Sequence, residues 1–208
     1  MITKYIPINT KRRPGLKLLG VKFIVCHDTG NPNSTAMGNV NYYIKSANEI
    51  TASAHVFIDD KEVICCIPLD EKAYHVRRIV TTDNALYGVD AIDWSLGIEL
   101  CYFPSDILRS KAAYFKYVAY IAELCKNFTL SLPDALVGHY KLDPARRADP
   151  LNAFRYINKT WEQFIEDVKN EIKLDEKLPE NCVAEKKEIN SLKKVINDLL
   201  VYIKSLWG

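Results

Sequence analysis

The sequence predicts an α/β fold, a single mixed β-sheet flanked by α-helices, extended by a C-terminal helix. Short β-rich runs alternate with segments whose apolar residues recur at intervals of three or four, the spacing of one helix face. Two of those runs are separated only by Asp59-Asp60-Lys61, which makes a hairpin and places an antiparallel pair in a chain that otherwise alternates strand and helix. A mixed sheet follows, in place of a strict strand-helix-strand repeat.

The first strand is KFIVCH, residues 22–27, an apolar run that ends in His27 and polar DTGNPNS. Ser34 or Thr35 then caps a helix carrying Met37, Val40, Tyr43, Ile44 and Ala47 at helical spacing. SAHVFIDDKEVICCIP supplies the hairpin. WSLGIELCY, residues 94–102, is the next strand; alternation puts Gly97, Glu99 and Cys101 on one face and Ile98 and Leu100 on the other. From Ser105 to about Phe128 a helix is expected, with Ile107, Phe115, Val118, Ala119, Ala122 and Cys125 as its apolar stripe. ALVGH, residues 135–139, returns as a strand that again finishes in a histidine, His139. One further helix is expected from about Asn152 to Leu174, with Phe154, Ile157, Trp161, Phe164, Ile165, Val168 and Ile172 on its buried side.

These elements define a domain over residues 1–174, a polar linker over 175–185 and a helix over 186–208. In that last segment Ile189, Leu192, Ile196, Leu199, Ile203 and Leu206 stand 3, 4, 3, 4 and 3 residues apart, a heptad seam that suits a homo-oligomer. The same stripe also suits an amphipathic helix folded back on its own domain.

Composition narrows the function. With 48% hydrophobic and 26% charged residues the chain has enough apolar content for a core, and a net charge of +2 gives no electrostatic support for binding nucleic acid. No run approaches the ~20 apolar residues of a membrane span. MITKYIPINTKRRPG lacks the apolar core of a signal peptide, so synthesis without export is expected. Six cysteines sit in apolar runs at spacings that match no zinc ribbon, and are read as reduced core thiols.

Two strands ending in histidine bring His27 and His139 to one rim of the sheet if the strands are neighbours and parallel. Asp149, ten residues past His139 and followed by Pro150, can loop back to them. Two histidines and a carboxylate form a ligand set that catalytic zinc takes while keeping a fourth position for water. A lone histidine more often satisfies hydrogen bonds inside a fold, so from the residues by themselves both readings stay open. Glu99 is different. An unpaired carboxylate in the middle of an apolar strand is costly to bury, which points to a functional role.

VCHDTGNP, SAHVFIDD, AYHV, SLGIELCY and GHYKLDPARRADP occur in the order and approximate spacing of the type 2 N-acetylmuramoyl-L-alanine amidases. This sequence resembles that family over about residues 18–158. Its members are zinc amidases related to peptidoglycan-recognition proteins and found in many phage endolysins. The resemblance implies zinc held by His27, His139 and Asp149, with Glu99 as the carboxylate that assists the attacking water. It places Arg147 where relatives usually carry lysine, near the developing oxyanion. His55 and His75 match positions that line the groove for the muramyl peptide, and Tyr74 stands where a tryptophan is common. The implied activity is hydrolysis of the amide between N-acetylmuramic acid and L-alanine in peptidoglycan, by an endolysin made in the host bacterial cytoplasm and acting on the wall after release. A wall-recycling amidase and a non-catalytic peptidoglycan-binding module are the alternatives.

Overall fold

A computed structural model describes residues 1–78 and 81–177 of the chain. The predicted linker beyond 177 and the heptad helix over 186–208, with Cys182, lie outside the described residues. The strands are β1 (Ile2–Thr3), β2 (Phe23–Asp28), β3 (Val56–Ile58), β4 (Val63–Cys65), β5 (Ser95–Leu100) and β6 (Leu136–Gly138). They form one six-stranded sheet in the order β1-β4-β3-β5-β2-β6. Only β3 and β4 pair antiparallel; every other neighbouring pair is parallel, so the sheet is mixed, as the hairpin predicts. The compact unit spans Met1–Glu171, and a second unit begins at Ile172.

β2 is buried along its whole length, which suits its central place in the sheet and explains its unbroken apolar run. On one face of the sheet, Phe57, Ile64, Cys66 and Cys101 pack with Val40 of α1 (Ala36–Lys45). Thr35 caps α1 by accepting from the Gly38 N–H at 3.0 Å, as expected from the sequence. A second buried cluster joins Phe23, Val25, Val137 and Leu142. The five described cysteines are free and buried, and burial pushes each thiol up.

Several expectations need correction. Two short helices, α2 (Thr81–Tyr87) and α3 (Ala91–Trp94), occupy a stretch with no clear apolar period. The expected stripe of α4 (Ile107–Asn127) is partly turned: Ile107 is 52% and Phe115 60% exposed, and Ala119 is exposed too. Tyr114, Tyr117 and Tyr120 are buried instead, because each ring can enter the core while its hydroxyl finds an acceptor; Tyr117 donates to the Ile98 carbonyl at 3.1 Å.

The single helix expected over 152–174 is two, α6 (Leu151–Arg155) and α7 (Trp161–Lys177). Asn158 between them adopts φ 55°, outside the helical range. Thr160 and Gln163 then close a capping box: the Gln163 N–H donates to Thr160 Oγ1 at 3.2 Å, and the Thr160 N–H to Gln163 Oε1 at 3.0 Å. β6 stops at Gly138, and His139 opens the short helix α5 (His139–Leu142) instead of closing a strand.

Candidate metal centre and active site

Register across β6, β2 and β5 builds the site. Cys26 of β2 pairs with Gly138, so His139 follows at the same rim, and His27 pairs directly with Glu99 of β5. The three side chains that carry chemistry therefore start from adjacent strands at one level of the sheet. Asp149 reaches them from the segment after α5, where its carbonyl accepts from the Tyr140 N–H at 3.1 Å.

His27 Nδ1 lies 2.8 Å and His139 Nδ1 3.0 Å from the same oxygen, Asp149 Oδ2. These three ligand atoms all lie within 4.8 Å of one another, and all three residues are buried. Two imidazole nitrogens converging on one carboxylate oxygen make a donor set that a divalent ion such as zinc fits. Burial drives the His27 pKa down to about 4, with His139 and Arg147 adding to the effect and Asp149 opposing it. The ring is therefore neutral and can act as a ligand near pH 7. Burial alone would raise the Asp149 carboxyl, but hydrogen bonds with His139 and His27 outweigh it and hold the group below the usual carboxylate range.

These groups line a cavity of about 460 Å³ together with Glu99, Tyr74, His75 and Arg147. Glu99 Oε2 is buried in it without a hydrogen-bond partner among the described residues. Burial is the main reason that the Glu99 carboxyl is raised well above its ordinary value; Asp149 and Asp28 push the same way, and Arg147 pulls against them. A half-buried carboxylate with one oxygen unpaired among the described residues, beside a candidate metal position, is poised to exchange a proton.

Arg147 is exposed and makes no ion pair among the described residues, whereas Arg146 pairs with Asp143. His55 stands elsewhere than its expected groove position. It is fully buried; its Nδ1 accepts from the Gly97 N–H at 2.9 Å, and its Nε2 donates to the Glu71 carbonyl at 2.9 Å. Both nitrogens hold the backbone, so His55 braces the floor of the site.

Sequence reasoning passed over Asp28, next to His27 in β2. Its carboxylate accepts from the Gly30 and Ala153 N–H groups and so ties the start of α6 to the rim. Burial foremost, then Asp149, raises the Asp28 carboxyl to about 6. Its signal was the adjacent pair HD, which alternation along a strand reads as one inward and one outward residue.

Fold and cluster together define a mixed-sheet α/β domain organised around a candidate site for one divalent metal ion. A family model described as N-acetylmuramoyl-L-alanine amidase matches residues 17–152, and the chain belongs to that family. It is similar to the N-acetylmuramoyl-L-alanine amidase BlyA of Bacillus subtilis (strain 168), 40% identical over 151 residues that make up 66% of this chain and 39% of BlyA. A probable N-acetylmuramoyl-L-alanine amidase of Bacillus licheniformis is 32% identical over 164 residues, 74% of this chain and 46% of the relative. The chain thus spans less than half the length of these relatives. Among solved structures, the catalytic domain of XlyA superposes with a TM-score of 0.64 at 24% identity, covering 80% of this chain and 97% of that one, which shows a shared fold. No described helix is long and apolar enough to cross a membrane.

Proposed function

We propose that this chain is a zinc-dependent N-acetylmuramoyl-L-alanine amidase that cleaves the amide between the lactyl group of N-acetylmuramic acid and the L-alanine of the stem peptide, in the manner of a wall-lysing endolysin. One observation carries the proposal: the His27, His139 and Asp149 ligand atoms share a cavity with the unpaired Glu99 Oε2. His27, His139 and Asp149 would hold the ion. Zinc, when bound, supplies a Lewis acid that acidifies water and polarises a carbonyl.

The chain's own groups do the rest. Glu99 takes a proton from the attacking water as the new C–O bond forms, then delivers it to the amine nitrogen as the C–N bond breaks. The products are a lactyl carboxylate and a free alanine amine. Arg147 places a cation where negative charge develops on the carbonyl oxygen. Tyr74 offers an aromatic face to the sugar or stem at the cavity wall.

Digestion of purified Gram-positive sacculi is expected to expose new L-alanine amino groups, and a chelator is expected to stop their release. Release that is indifferent to chelator rules out the metal, and absence of release rules out the amidase. Within this scheme Arg147→Lys keeps most activity, because only a cation is required there, and Arg147→Ala loses ~10²- to 10³-fold in kcat. Equal rates for the alanine variant and the parent remove Arg147 from the reaction.

A further inference from the structure

Both nitrogens of His75 are engaged. Nδ1 lies 3.1 Å from His27 Nε2, and Nε2 lies 3.4 Å from Ser95 Oγ. Ser95 has one hydroxyl hydrogen, which it donates to the Ala91 carbonyl at 2.6 Å. The hydroxyl therefore meets His75 as an acceptor, which puts a hydrogen on His75 Nε2. The ring lies buried against the rings of His27 and His55. His75 Nδ1 is thus placed to accept from His27 Nε2, the nitrogen that must carry the hydrogen of a neutral His27 ring once its Nδ1, 2.8 Å from Asp149 Oδ2, is given to a metal ion.

We propose that His75 is a positioning residue: it offers an acceptor for the Nε2 hydrogen of His27 and so fixes that ring with Nδ1 turned to Asp149 and His139, where a metal ion would take it. This rests on the zinc reading above, and it gives His75 a role other than contact with the muramyl peptide. Strand β5 supplies the seat. Ser95, Gly97 and Glu99 share one face of it, since they alternate along the strand. Ser95 anchors one edge of the His75 ring. Gly97 leaves it room, because a Cβ at Gly97 would stand 2.3 Å from His75 Cγ. Glu99 follows two residues on as the unpaired carboxylate. One face of β5 therefore carries both the proton-transfer group and, through His75, the orientation of a ligand on β2. Partners that orient a ligating imidazole in this way are typically worth ~10- to 100-fold in metal affinity.

Two measurements test this on the full chain. Nitrogen-15 ring spectra of the zinc-loaded parent are expected to show the shared hydrogen bonded to His27 Nε2. A hydrogen bonded to His75 Nδ1 overturns the proposal even where zinc binds normally. Zinc affinity, measured by chelator competition, is expected to fall ~10- to 100-fold in His75→Leu. His75→Asn, whose side-chain oxygen can take the place of Nδ1 as acceptor, is expected to stay within about threefold of the parent, well short of that loss. A folded His75→Leu protein that binds zinc as tightly as the parent, or an asparagine variant as weak as the leucine one, overturns it. A parent that takes up no zinc defeats the zinc reading itself, a result distinct from a misplaced hydrogen.

Discussion

Glu99→Gln is expected to fold, to keep its zinc and to lose ~10²- to 10⁴-fold in the rate of amide hydrolysis. The amide nearly matches the carboxylate in shape, so packing along β5 is preserved. The substitution replaces a group whose ionisation burial opposes by a neutral amide of the same size, so the folded state gives up little. What disappears is the ability to accept a proton from water and pass it to the amine. Because that exchange belongs to the transition state, the loss should fall on kcat and kcat/KM alike, with zinc content unchanged. A variant that digests sacculi within about threefold of the parent, where loss of an acid-base group predicts far more, would show that Glu99 plays no part in proton transfer.

The second large effect is expected at Asp149. Its Oδ2 is the point on which both imidazoles converge, so Asp149→Ala removes one ligand and the carboxylate that His27 and His139 share. Zinc affinity should fall by more than the ~10- to 100-fold typical of an outer partner, and amidase activity should fall with it. Metal analysis after dialysis is the direct check. Undiminished zinc content would take Asp149 out of the site, and full activity in a zinc-depleted variant would take zinc out of the reaction. Circular dichroism separates these outcomes from unfolding.

The fold was largely legible because its strongest signals are local. KFIVCH is a buried parallel strand and reads as one, and the three polar residues at 59–61 admit little but a hairpin. The buried face of α4 was harder to see, since tyrosine counts as half polar until its hydroxyl partner is known. The break between α6 and α7 was legible in principle, as Thr160 and Gln163 stand at capping-box spacing, but the continuous apolar stripe across it concealed the stop. Within the site, motif order locates His27, Glu99, His139, Arg147 and Asp149, and the structure brings all five to one cavity. His55 and Asp28 could not be sorted this way. Whether a buried polar group faces a cavity or a carbonyl is decided by neighbours distant in sequence.

The pairing of β2 with β5 and β6 has a consequence for how an active molecule comes into being. Side chains alternate along a strand, so shifting β2 by one residue would send His27 to the opposite face and bring Cys26 or Asp28 into its place, while inverting the apolar pattern that fills both layers. The hydrogen-bond ladder that gives the domain its core is the same one that aligns its reactive groups. A molecule that has reached its stable core has already lined up His27, Glu99 and His139, and a slipped molecule lacks core and chemistry together. Well-folded but misaligned copies are excluded by construction, so the active fraction of a preparation should track the natively folded fraction.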